Sequence, residues 1–163
     1  TMPDVFRSFA RVSAIAPGVL GLTGVETGEV VLGLCEKIRP DAIIAIDSLV
    51  SRKLSRLCRT IQLSDTGITP GGGIAPGRFP LDEQTLHTPV LALGIPTVVE
   101  ARTLAADLCP NAPPEEELPP TSLIVTPKDI DALMVKSAKI LGYAIDMALH
   151  THLSVEDIES LLS

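Results

Sequence analysis

Tryptophan is missing from this chain of 163 residues, and one tyrosine and three phenylalanines are its only aromatic side chains. A core must therefore be assembled from Ile, Val, Leu and Ala, which suits packed α/β layers. Cysteine is scarce: Cys35, Cys58 and Cys109 are odd in number and far apart. They fit neither a disulfide framework nor a zinc spacing, and they read as reduced thiols of a cytoplasmic protein, with Cys35 in the core. No apolar run approaches the roughly 18 residues of a membrane span, and no signal peptide opens the chain. Lys/Arg runs with interleaved aromatics are also lacking. Together with a formal net charge of -7, this argues against a nucleic-acid surface. No partner at a membrane is expected, and no cofactor.

What is present is 45% hydrophobic content in a length that fits one globular domain, residues 1–163. The organising stretch is Asp41-Ala-Ile-Ile-Ala-Ile-Asp47-Ser-Leu-Val-Ser-Arg52. The unbroken run Ala42 to Ile46 predicts a strand buried on both faces, as in a parallel sheet. The run stops at Asp47, and Leu49 to Leu57 reads as a helix. Ligands of open α/β sheets sit beyond the carboxyl ends of strands, which makes Asp47 a site candidate. The competing reading is that Asp47 or Ser48 caps the next helix.

Upstream, Val12 to Ala16 predicts a short strand. A Gly/Thr-rich turn, Gly21 to Gly28, leads into a helix with Thr27 as cap and Val30, Val31, Leu34, Cys35 and Ile38 as its apolar stripe. Strand, helix and strand would form a βαβ unit. The turn has neither the Gly-Lys-Ser/Thr ending nor the G-x-G-x-x-G spacing of a nucleotide loop. Downstream, Arg59 to Leu63 alternates like a half-wet strand. Asp65-Thr66-Gly67 matches the signature of pepsin-like and retroviral aspartic proteases, but those are all-β, and a tight turn explains the triplet equally well. Pro70 to Pro80, with Gly71, Gly72 and Gly73, predicts a surface loop whose backbone can approach a substrate. Pro89 to Gly94 predicts a second buried strand, and Glu100 beyond it is a second candidate acid. Asn111 to Pro120 is a surface segment. Thr126-Pro127 predicts the start of a long helix running to about His150. Ser154 caps a last helix in which Ile158, Leu161 and Leu162 dock. His150 and His152 read as loop residues without a third metal ligand nearby, and His87 lies in a loop before a strand.

The quoted blocks, in this order, resemble the germination protease family, the spore endopeptidases of endospore-forming bacteria. The likeness runs through Val12 to Thr27, Pro40 to Arg52, Thr60 to Gly73, Gly94 to Ala101 and Val125 to Asp131, and ends at Ala148-Leu-His150. It implies a three-layer α/β/α fold with a mostly parallel sheet, similar to the hydrogenase maturation endopeptidases. It further implies an atypical aspartic endopeptidase that degrades small acid-soluble spore proteins at germination. Such an enzyme is made as a self-processing zymogen, acts in the spore core and assembles as a homotetramer. The family's catalytic pair is two aspartates. One corresponds to Asp47. The other lies in a Gly-Asn…Thr-Pro-Asp-x-Leu-Gly-Pro motif that has no match here, so the chain is expected to be the family's C-terminal part and inactive alone. Thr23, Glu26, Asp65, Thr66 and Gly71 to Gly73 are expected to shape the substrate cleft. The alternatives are a non-catalytic folded fragment and a metal-assisted mechanism of the hydrogenase-maturation kind, with Asp47 as a ligand.

Overall fold

The computed structural model describes residues 7–73 and 77–162, without the side chain of Leu162. The start of the chain, the middle of the glycine-rich loop and the expected docking of Leu162 lie outside the described residues. The described chain forms two compact units. The larger is Ala16–Lys128, and the smaller holds residues 7–15 and 129–162.

The larger unit is α/β. Its elements are α1 (Leu20–Thr23), α2 (Thr27–Ile38), β1 (Ile43–Ser51), β2 (Gln62–Ser64), α3 (Glu83–Leu86), β3 (Val90–Glu100), α4 (Ala101–Leu108) and β4 (Ile124–Val125). β3 is the axle of the sheet. It pairs in parallel with β1 from Ile43↔Val90 to Ser51↔Val99, with a register shift between Leu49 and Val50. β2 and β4 pair antiparallel with β3, at Gly94 to Ala92 and at Val99 to Glu100. The sheet is thus mixed, where a mostly parallel one was expected. Its long ladder is parallel and its two short ones are antiparallel.

The run around Ala45 is not buried on both faces. Ala45 is enclosed, whereas Ile44 and Ile46 are exposed. Strand residues alternate between faces, so one face of β1 carries the core and the other does not. On the covered face Ala45, Leu81, Leu86 and Val90 pack with Val31, Leu32, Ile43, Ile68 and Phe79. Ile44, Ile46, Leu63 and Leu91 share the opposite, exposed face.

Several local expectations fail, and strand pairing accounts for them. Val12 to Ala16 is no strand, since no strand among the described residues pairs with it; Val12 and Ile15 are exposed. The expected βαβ unit is therefore absent among the described residues, where α1 and α2 precede β1. β1 does not stop at Asp47 but runs on to Ser51, and only a 3-10 turn, Leu54–Arg56, follows where a helix was expected. β3 likewise passes through Gly94 and Pro96 to Glu100. Pairing between the two long strands overrides the local signals. Pro96 fits because its register partner is Leu49, so its nitrogen points away from β1. On that side β2 has ended and β4 has not begun, and no ladder bond is lost. The Pro96 carbonyl accepts the Cys58 amide at 2.7 Å.

Helix ends follow their capping chemistry. The Asp82 carboxylate caps α3, accepting the Thr85 amide at 2.8 Å and its hydroxyl at 2.7 Å. Thr27, expected as a cap, is instead the first residue of α2, and its hydroxyl donates to the Gly18 carbonyl. In the smaller unit, α5 (Ile130–Leu149) starts at Asp129. Thr126, expected to cap it, belongs to the larger unit and donates to the Thr97 carbonyl. α6 (Val155–Leu162) opens on a reciprocal box: the Ser154 hydroxyl accepts the Asp157 amide, and Asp157 accepts the Ser154 amide. Ile158 is buried and Leu161 exposed. His150 is not a loop residue on the surface. It sits at the C-cap of α5, buried, 4.6 Å from the Phe9 ring.

Two outcomes test this packing. The Phe79 ring occupies the space a Cβ on Gly28 would need, whereas Gly33 on the same helix faces nothing within 4 Å. Gly28→Ala should destabilise the chain by about 1–3 kcal/mol in urea unfolding. Gly33→Ala should leave it unchanged or stabilise it by up to about 1 kcal/mol. The second concerns acid. The hydroxyl and then the amide of Thr85 hold the Asp82 carboxyl below its usual range. That stabilisation is fully present above the unfolded value of about 3.9 and is lost as pH falls through the lower folded value. Asp82→Asn should therefore lower the urea midpoint at pH 7, and the gap to the parent chain should close in strong acid.

Candidate active site

Asp47 stands at the middle of β1, directly opposite Gly94 of β3. It shares the covered face with Ala45 and Leu49, and it is half-buried. Gly94 has no side chain because Leu49 lies across it; a Cβ there would overlap the Leu49 methyl. Apolar surface therefore borders the carboxylate on one side.

The direction of that carboxylate follows from the ladder. In a parallel pair, a residue that donates to its neighbour also accepts from it, and the next residue faces the other way. The Ile43 amide donates to the Pro89 carbonyl, so residues 43, 45 and 47 bond toward β3. The amides of Ile44, Ile46 and Ser48 face the opposite edge, where no strand among the described residues pairs with β1. Asp47 Oδ1 accepts the Ser48 amide at 2.8 Å. The acid therefore leans toward the sheet's open edge, not into the core.

The other expected site residues are dispersed. Thr23 closes α1, and its hydroxyl serves the local turn, donating to the Val19 and Val25 carbonyls. Glu26 precedes α2 and accepts from Arg78 at 2.7 Å, an ion pair that ties the end of the glycine-rich loop to α2. The Arg78 side chain is two-thirds or more covered. Asp65 and Thr66 are exposed. Ser64 accepts the Thr66 amide and bonds its hydroxyl, so the triplet is a turn. The Gly72 amide donates to Thr69 within the loop. Gly73 approaches β1 most closely: a Cβ there would come within 2.8 Å of Val50 Cγ2.

Neither alternative acid reaches Asp47. β2 lies across β3 from β1, so Gln62, level with Asp47 and Gly94, is already two strand spacings or roughly 10 Å away. Asp65 lies beyond Ser64, roughly a further 10 Å along the sheet. Glu100 ends β3, roughly 20 Å from Gly94 at strand rise. His87 is the C-cap of α3. Among the described residues, no three His, Cys, Asp or Glu stand close enough to hold a metal ion, and no helix is long and apolar enough to cross a membrane.

Sequence reasoning picked out Asp47 but not its surroundings. Leu49 over Gly94 and the Glu26–Arg78 pair had no local signal, since each joins residues that only the fold brings together.

This arrangement has kin. A family model described as germination protease matches residues 2–110. The germination protease of Clostridium perfringens (strain SM101) is 42% identical over 193 residues, covering 99% of this chain and 59% of its own. That of Caldanaerobacter subterraneus is 38% identical, covering 98% and 57%. That of Halalkalibacterium halodurans is 52% identical over 104 residues, covering 64% and 28%. The chain spans about three-fifths of the length of the first of these relatives. It belongs to the germination protease family.

The loop tether yields a measurable expectation. Glu26→Gln and Arg78→Ala should each cost less than about 1 kcal/mol, with a coupling of roughly 0.2–1 kcal/mol in a double-mutant cycle that shrinks as salt is raised. Strict additivity would show that the pair does not hold the loop.

Proposed function

We propose that this chain carries one of the two catalytic aspartates of an endopeptidase that degrades small acid-soluble spore proteins at germination. The observation that carries this reading is the placement of Asp47. Its half-buried carboxylate sits at the middle of β1, at the edge of the sheet among the described residues, bordered by Leu49 and turned outward by the Ser48 amide.

In an aspartic mechanism one ionised carboxylate takes a proton from water as that water attacks the peptide carbonyl. A second, protonated acid donates to the carbonyl oxygen, because two acids held together do not both ionise easily. Asp47 is assigned as one of these. Asp65 and Glu100 are too far away to be the other. The partner is the aspartate of the family's Gly-Asn…Thr-Pro-Asp-x-Leu-Gly-Pro motif, and this chain alone has little or no activity. Glu26, through Arg78, and Gly73, against Val50, hold the loop that borders the cleft; Thr23, Asp65 and Thr66 contribute its more distant rim. Zymogen processing, a homotetramer and a place in the spore core belong to the same reading of the whole enzyme. So do the three-layer fold and the kinship with hydrogenase maturation endopeptidases. The exposed face with Ile44, Ile46, Leu63 and Leu91 supports a further layer, since such a patch calls for cover.

In a whole-length enzyme bearing this sequence, Asp47→Asn should reduce cleavage of a small acid-soluble spore protein by at least about a hundredfold. Thermal unfolding should stay near that of the parent. Undiminished cleavage by the folded variant would remove Asp47 from the mechanism.

A further inference from the structure

Leu49, Gly94 and Pro96 meet on one face of the sheet beside Asp47. Side chains alternate along a strand, and Asp47 and Leu49 are level with Gly94 and Pro96, so all four lie on the covered face. Leu49 stands beside Pro96, whose ring is almost wholly enclosed. Strand side chains can lean along the strand direction, and Leu49 leans back over Gly94. A Cβ at 94 would overlap its Cδ1 and stand 2.7 Å from its Cγ and 3.1 Å from its Cδ2. A ring fills the place beside Leu49, and a bare backbone leaves the place beside Asp47 for Leu49 to occupy.

We propose that Leu49, seated on Gly94, is a positioning residue for the Asp47 carboxylate. Its methyl groups stand where the cross-strand neighbour of Asp47 would stand, roughly 5 Å away at the spacing of adjacent strands. They close the β3 side with surface that offers no donor. A carboxylate leaning that way would give up water for methyl groups, which is costly for a charge. Leaning the other way it meets the Ser48 amide, which Oδ1 accepts at 2.8 Å. With Oδ1 held there, Oδ2 is the oxygen left for proton exchange, and it keeps one direction. For the reaction, this rests on Asp47 being one of the two catalytic acids. An acid fixed in direction needs no reorientation when water or a second acid comes to it. Gly94 supplies the room for the wall and Pro96 the block behind it, so both residues serve the acid on the neighbouring strand.

The test reads the carboxylate directly and then through the reaction. The proton of an amide bonded to a carboxylate shifts its magnetic resonance as that acid ionises, because a charged acceptor draws it harder. In a pH titration of this chain, the Ser48 amide proton should move in the parent and in Leu49→Met, and stay still in Asp47→Asn. Leu49→Val keeps a strand former but loses the reach over Gly94, and it should cut that movement by about half or more. In a whole-length enzyme bearing this sequence, Leu49→Val and Gly94→Ala should each lower kcat on a small acid-soluble spore protein about tenfold, with KM within about twofold. Leu49→Met should restore most of the loss. If Gly94→Ala fails to fold, Leu49→Val decides. A Leu49→Val chain that melts at lower temperature yet keeps the full Ser48 movement would reduce Leu49 to packing and overturn the proposal. So would an unchanged kcat in the Leu49→Val enzyme. Cleavage that survives Asp47→Asn would remove the catalytic reading alone, since the Ser48 amide would still report whether Leu49 holds the acid.

Discussion

Parallel pairing of β1 with β3 is the constraint from which the rest of the larger unit follows. Parallel neighbours cannot be joined by a hairpin. The chain between Ser51 and Val90 must therefore travel, and it spends that length on β2, the glycine-rich loop and α3. β2 joins the sheet beside β3, and the base of the loop and α3 return to one face of it. Ile68 and Leu81 bridge each other at the base of the loop, and Leu81 and Leu86 then fill the space above Ala45 and Val90. The same ladder fixes which amides of β1 turn outward, and so it decides where the Asp47 carboxylate points.

Much of this was legible in the residues. The two apolar runs, Ala42 to Ile46 and Pro89 to Gly94, are the cores of β1 and β3. The long helix expected to run to about His150 is α5, and Ser154 caps α6. What misled was punctuation. An acid at 47, a glycine at 94 and a proline at 96 each look like an ending, and each lies within a strand. Their tolerance comes from the partner strand: Gly94 makes room for Leu49, and the nitrogen of Pro96 falls where no neighbour needs a donor. A local reading has no access to a partner some fifty residues away. The opposite error, a strand at Val12 to Ala16, has the same origin, since apolar residues without a neighbour to bond remain irregular.

The candidate site was legible at one residue and illegible around it. Asp47 could be singled out because an acid interrupting an apolar run is conspicuous. Asp65 attracted attention through a triplet that turns out to be a hydroxyl-bonded turn on the far side of β3. Glu26 found its partner, Arg78, fifty-two residues away, and no spacing rule connects them. Buried imidazole at position 150 was unreadable for a related cause: its ring is enclosed with Phe9, from the other end of the chain.

Pro96 carries a consequence of its own. Its ring is among the most deeply enclosed in the larger unit, yet volume is not what would make a replacement costly. Any other residue at 96 would bring in one hydrogen on nitrogen, turned away from β1 into the short interval between the ladders of β2 and β4. Unless an acceptor met it there, that buried donor would cost about 1–3 kcal/mol. At this position the ladders ask nothing of an atom that proline does not have.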